Sequence, residues 1–248
     1  MTVLLDRRDG VGIVTINLPE RRNSLTTAMS AQLVEHVRAC EQDENVHAIV
    51  VTGAPPAFCA GADLTALGEA REDGLRAIYA GFLAVANSTL PTVAAVNGPA
   101  VGAGLNLALA CDVRLAGPEA RFDARFMQIG IHPGGGMTWL SQQLTGPQTT
   151  AAMTLFGQVL DADEAVRTGL AFRKADDVVA AAMELCAATA AAPRDLVLAT
   201  KRTLRTTAAY HRHDEAVETE LVAQLASMET PAFAELLSAM RDRISRQA

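Results

Sequence analysis

The sequence predicts an α/β fold. Short, β-branched apolar runs alternate with helical patterns through the first half of the chain, and after about residue 140 only helical patterns remain. The runs "VHAIVVTGA" and "PTVAAVNG" are almost continuously apolar, as expected of strands buried on both faces of a sheet.

The elements follow in order. Val3 and Leu5, then Val11, Ile13 and Thr15, alternate on either side of Asp9-Gly10. An Asp-Gly pair between alternating runs predicts a hairpin, because both residues tolerate positive φ. "PERRNSL" reads as a polar loop. In "TTAMSAQLVEHVRACEQD", Met29, Leu33, Val34, Val37 and Cys40 fall at helical spacing, with Thr26 or Thr27 as the cap. Strands are expected at "VHAIVVTGA", "PTVAAVNG" and "CDVRLAG", with a loop and a helix around "LRAIYAGFLAVAN" between the first two. Five helical stretches then lead to "TPAFAELLSAMRDRISRQ", where Thr230 is the expected N-cap and Pro231 the first helical residue. This divides the chain into a mixed core over residues 1–190 and a helical region over 191–248.

Composition narrows the function. The chain has 248 residues, half of them hydrophobic, and a net charge of −7 from 28 acidic and 21 basic residues. That balance argues against nucleic acid as a partner. No long apolar run predicts a membrane span, and the amino-terminal residues do not read as a signal peptide. The four cysteines form no CxxC pair and the five histidines are scattered, so reduced thiols, a cytoplasmic setting and no metal site are expected.

Two stretches share one shape. "AFCAGADL" (57–64) and "GPAVGAGLNLAL" (98–109) each carry a strand through a small-residue turn into a helix. The first turn of a helix has N–H groups without intrahelical partners. Two such turns side by side can aim two N–H groups at one oxygen, an arrangement that stabilises an oxyanion. The plainer alternative is that glycine and alanine permit close helix–strand packing. No GxSxG elbow is present.

Together with "PERRNSL", "PTVAAVNGPAVGAGLNLALACDVRLAG", "ARFDARFMQIGIHPGGG" and "DADEAVRTGL", these stretches resemble the enoyl-CoA hydratase/isomerase family, the crotonase superfamily, along nearly the whole chain. The resemblance implies a spiral of ββα units with a carboxy-terminal helical trimerisation region, and homotrimers or dimers of trimers. It implies an acyl-CoA or enoyl-CoA thioester as substrate or ligand, within fatty-acid or related acyl-CoA metabolism, and no further cofactor. The thioester carbonyl would be held by the backbone N–H groups of Ala62 and Ala103, the latter at a position where the family usually has glycine. Acyl-CoA contacts would fall on Arg21, Arg22, Ser24 and Leu25, and on Ala60, Asp63 and Leu64. Either arginine suits a CoA phosphate.

The chain departs from the family at the chemistry. Of the two glutamates of a hydratase, one would stand at Asn106 and the other at Phe126, and neither present side chain exchanges a proton near neutral pH. Asp123 and His132 are the candidate substitutes, with a structural hydrogen-bonding role the alternative for each. Glu69, Glu72 and Asp73 face either the acyl pocket or solvent. Asp112 is expected to satisfy backbone donors, and Cys59 to be a buried residue. Three functions stay open: an enzyme of altered mechanism that stabilises a thioester enolate, a non-catalytic acyl-CoA-binding carrier, and a regulatory or scaffold subunit of a mixed oligomer.

Overall fold

A computed structural model describes residues 2–69 and 71–247. Strands β1 (Val3–Arg8) and β2 (Val11–Ile16) form the predicted antiparallel hairpin, with Asp9 and Gly10 at φ of 50° and 76°. Helix α1 (Thr27–Gln42) follows, capped by Thr26, whose hydroxyl accepts from the N–H of Met29. Then come β3 (Ala48–Gly53), α2 (Leu64–Glu69), α3 (Glu72–Asn87), β4 (Thr92–Val96), β5 (Pro99–Val101), α4 (Ala103–Leu109), β6 (Val113–Ala116) and β7 (Arg121–Asp123). Helix α5 (Met137–Leu155) breaks its helical backbone at Gly146, just before Pro147. After it run β8 (Leu160–Asp161), α6 (Ala162–Arg167), β9 (Arg173–Lys174), α7 (Val178–Ala191), α8 (Arg194–Thr207), α9 (His213–Met228) and α10 (Pro231–Gln247).

Among the described residues the strands form two sheets. One has the order β1-β2-β3-β4-β6-β9 and is parallel apart from the hairpin; the other has the order β5-β7-β8. The expectation that strands end near residue 140 is therefore corrected by β8 and β9. Each is two residues long and is defined by pairing to a distant strand, a signal that local periodicity does not carry.

The chain divides into two compact units, Met1–Ala190 and Ala191–Ala248. In the first, one face of the larger sheet (Ile13, Val50, Ala95, Leu115) packs against Val178, Ala182 and Cys186 of α7. α1 and α3 pack together through Ser30, whose hydroxyl donates to the carbonyl of Ile78 and accepts from the N–H of Gly81. Asp112 does satisfy donors, accepting from both the N–H and the hydroxyl of Thr92. The second unit holds α8, α9 and α10. Thr230 caps α10 by accepting from the N–H of Phe233, and Pro231 is its first residue. Among the described residues no helix is long and apolar enough to cross a membrane.

Candidate thioester site

The segment 57–63 lies between the loop 22–25 and β5. On the loop side, Ala60 N–H donates to Arg22, Leu25 N–H donates to Gly61, and Asp63 N–H donates to Leu25, at 3.0, 2.7 and 2.9 Å. On the β5 side, Cys59 N–H donates to Pro99 and Val101 N–H donates to Cys59, at 3.1 and 2.9 Å. These bonds orient the peptide between Gly61 and Ala62. Its carbonyl faces Leu25, so in a planar trans peptide the Ala62 N–H points the opposite way, toward the β5 side. That N–H donates to no acceptor among the described residues.

The second turn behaves alike. Gly102 N–H donates to the carbonyl of Asp123 at 2.9 Å, and the Gly102 carbonyl accepts from Asn106 N–H at 3.0 Å. With that carbonyl directed along α4, the Ala103 N–H points out of the start of the helix, and it too has no acceptor among the described residues. Gly102 holds φ 51° and ψ −111°, a conformation closed to side chains. A Cβ built on Gly102 would meet nothing within 4 Å, so this glycine serves the turn and leaves open space beside it. A Cβ built on Gly61 would stand 3.0 Å from the Val101 carbonyl oxygen and 4.0 Å from the Ala103 nitrogen. The two unpaired N–H groups thus belong to neighbouring turns.

Gly104 answers to packing instead. A Cβ there would fall 2.0 Å from the Cys59 carbonyl oxygen, so α4 sits against segment 57–63 with no room for a methyl group. Gly104→Ala is expected to destabilise the protein by about 3 kcal/mol, the upper end for overpacking against backbone. A denaturant midpoint equal to that of the parent would contradict this seating.

Asn106 lies one turn beyond Ala103 and is buried. Its Nδ2 donates to the Gly134 carbonyl at 3.0 Å, while its Oδ1 is buried and accepts from no donor among the described residues. Phe126 begins a short 3-10 turn, Phe126–Ile129, directly after Arg125, whose φ is 52°. Asp123 is buried, and its Oδ2 accepts from Nε and Nη2 of Arg125 at 2.8 and 2.5 Å. Its carboxylate is thus engaged by Arg125 while its own carbonyl anchors Gly102. His132 is exposed, with Nδ1 2.7 Å from the Pro133 carbonyl oxygen. A carbonyl only accepts, so Nδ1 is the donor of this contact, and Nε2 has no partner among the described residues.

The expected CoA-binding residues divide by what they touch. Arg21 pairs with Asp63 at 2.9 Å, and Asp63 also caps α2, its Oδ1 accepting from the N–H of Thr65. Half-exposed as Arg21 is, this pair adds at most about 1 kcal/mol and chiefly fixes the loop beside Ala62. Arg22, at φ 51°, is exposed and gives its carbonyl to Ala60. Leu25 is buried, Ser24 and Ala60 are half-buried, and Leu64 is exposed. Glu72 pairs with Arg76 on the surface and Asp73 is exposed, whereas the Glu69 side chain lies outside the described residues.

Sequence reasoning passed over Asn23. This buried residue, at φ 60°, accepts from the N–H of Leu18 and donates to the carbonyls of Ala54 and Ala57, tying loop 18–25 to the start of segment 57–63. Asparagine's tolerance of positive φ in "RRNSL" was the available signal.

All four cysteines are free and buried. Complete burial pushes the Cys59 thiol from an ordinary 9.0 up to about 12. Since the thiolate is the reactive form, raising the pKa suppresses it at every pH below about 12. Cys59 is expected to resist alkylation in native protein at pH 8 and to react after denaturation, as peptide mass mapping would read; rapid native labelling would contradict this burial. Among the described residues no group of three or more His, Cys, Asp or Glu is placed to hold a metal ion.

The chain as a whole is similar to known proteins. A family model described as enoyl-CoA hydratase/isomerase matches residues 6–239. A Mycobacterium tuberculosis protein named "Probable enoyl-CoA hydratase EchA14" is 53% identical, over 97% of this chain and 98% of its own. The 1,2-epoxyphenylacetyl-CoA isomerase of Escherichia coli K12 is 35% identical over 68% of this chain and 67% of its own. The crystal structure of an enoyl-CoA hydratase subunit from Geobacillus kaustophilus superposes with a TM-score of 0.89 at 27% identity, covering 98% of this chain and 96% of that one.

Proposed function

The chain belongs to the enoyl-CoA hydratase/isomerase family, and on that premise we propose that it binds an acyl-CoA or enoyl-CoA thioester and polarises its carbonyl with the N–H groups of Ala62 and Ala103. The observation that carries this reading is the pair of neighbouring N–H groups that donate to nothing else among the described residues. Donors already oriented toward a carbonyl oxygen stabilise the negative charge that gathers there when an α-proton leaves and an enolate forms. Either arginine of loop 18–25 would reach a CoA phosphate, Arg22 being the one without an ion pair among the described residues.

The step is an enolate-forming one rather than hydration by two glutamates, because Asn106 and Phe126 supply no acid or base. His132 Nε2 is the remaining candidate base. Incubating butyryl-CoA with the protein in D2O tests this, with deuterium at C2 as the expected result by NMR. A second reading, a non-catalytic carrier, is favoured by the engagement of the Asp123 carboxylate by Arg125. Binding of butyryl-CoA without any deuterium uptake would establish the carrier and overturn the enolate step.

Self-association as a homotrimer or a pair of trimers belongs to the same proposal. Leu204, Val222, Leu225, Leu236, Met240 and Ile244 leave apolar surface exposed on α8, α9 and α10. Light scattering is expected to return the mass of three or six chains; a monomer at micromolar concentration would contradict it.

A further inference from the structure

Arg125 turns the chain in a way that long side chains seldom do. β7 ends at Asp123, and Arg125 then takes φ 52° and ψ −8°, in the left-handed region. The turn is tight, with Phe126 N–H donating to the Ala124 carbonyl at 2.7 Å across Arg125 alone. Glycine would adopt this backbone with less strain, so the reason for an arginine lies in its side chain. Residues strained in this way persist where their surroundings hold them, and they gather at functional sites.

The guanidinium returns over its own turn to a buried partner. Nε and Nη2 both reach Oδ2 of Asp123, at 2.8 and 2.5 Å, and the Asp123 side chain is only 3% exposed against 51% for Arg125. Arg8–Asp6 and Arg212–Asp214 share the two-residue spacing, but both partners of each are exposed and neither arginine has a positive φ. Exposed pairs of that kind hold little. A carboxylate taken out of water depends on its cation, so the Arg125 pair is the firmer one.

That pair closes a ring around the peptide joining Asp123 to Ala124. The carbonyl of this peptide accepts from Gly102 N–H at 2.9 Å. It does so at the end of the β5–β7 ladder, where Val101 is paired with Asp123. α4 begins at Ala103, so no later rung of the sheet holds Gly102. The Ala103 N–H is therefore aimed by two bonds, one from Gly102 N–H to Asp123 and one from Asn106 N–H to the Gly102 carbonyl. Gly102 is conformationally free unless both are kept.

Resting on the thioester reading above, we infer that Arg125 is a positioning residue for the Ala103 oxyanion donor. Its guanidinium, acting through the Asp123 carboxylate, locks the main-chain carbonyl that anchors Gly102. Asp123 thus serves the carbonyl site through its main chain and takes no proton from the ligand.

The test is the infrared frequency of carbonyl-labelled butyryl-CoA bound to the parent protein and to Arg125→Gln. The parent is expected to lower the carbonyl frequency, and Arg125→Gln to lose about half of that shift, since one of two donors loses its aim. Arg125→Lys keeps a cation and is expected to recover part of the shift. Arg212→Gln opens an exposed pair of the same spacing and is expected to match the parent. A merely structural role would lower the denaturation midpoint without moving the band. The double variant Asp123→Asn with Arg125→Gln leaves neither partner of the pair charged. It is expected to show the same loss as Arg125→Gln, and it decides the matter if the single variant does not fold. A full shift in the folded variants would overturn the inference and leave the thioester reading intact. An equal loss in Arg212→Gln would also overturn it. A parent band at its solution frequency would overturn the thioester reading and this inference with it.

Discussion

Crotonyl-CoA is expected to remain essentially unhydrated in the presence of this protein, and the double variant Asn106→Glu with Phe126→Glu to raise the hydration rate by about 10⁴. The magnitude follows from the chemistry. Water addition needs one group to take a proton from the attacking water and another to deliver one to the α-carbon, and a positioned acid or base contributes roughly 10²–10⁴. The parent chain offers an amide at one of these positions and a phenyl ring at the other. The nearby Asp123 carboxylate is bound by Arg125 at 2.8 Å and its main chain is committed to Gly102. Each single variant is expected to gain far less than the pair, since the two groups act in one cycle. Hydration by the parent as fast as by the double variant would show that another group supplies the proton transfers.

The second large effect concerns Ala103→Pro. Proline removes the N–H and nothing else that the fold uses at this position. Ala103 is the first residue of α4, where proline fits the helix and the missing donor would be unpaired in any case. Gly102, at φ 51° and ψ −111°, occupies the mirror image of the extended conformation that a residue before proline prefers, which glycine adopts freely. Stability should therefore change little, while catalysis through the enolate falls by about 10²–10³, the cost of one oxyanion donor. Unchanged C2 exchange in the variant would remove Ala103 from the carbonyl site.

Much of this was legible from residues alone, and the reasons separate what was from what was not. The Asp9-Gly10 hairpin, the Thr26 and Thr230 caps and the turns at 57–64 and 98–109 are local features, each encoded within a few residues. The double role of the small residues was legible only in outline. The structure divides it, giving Gly104 to packing against Cys59 and Gly102 to the turn that frees the Ala103 N–H. The three-stranded sheet of β5, β7 and β8 escaped because its strands are two or three residues long and pair across some twenty to forty residues of chain. The Arg125–Asp123 and Arg21–Asp63 pairs and the Asn106–Gly134 bond likewise depend on where the backbone turns at Arg125, Arg22 and Gly135, all at positive φ. Asn106 marked the absent acid in the sequence, but only the structure reveals that its oxygen is left without a donor.

The central claim is that two backbone N–H groups hold and polarise a thioester carbonyl. It is tested most directly by the infrared frequency of a carbonyl-labelled acyl-CoA, free and bound. Two donors draw electron density onto oxygen and weaken the C=O bond, so the bound band is expected at lower frequency than in water, with much of that shift lost in Ala103→Pro. A bound carbonyl at its solution frequency, in parent and variant alike, would contradict the account.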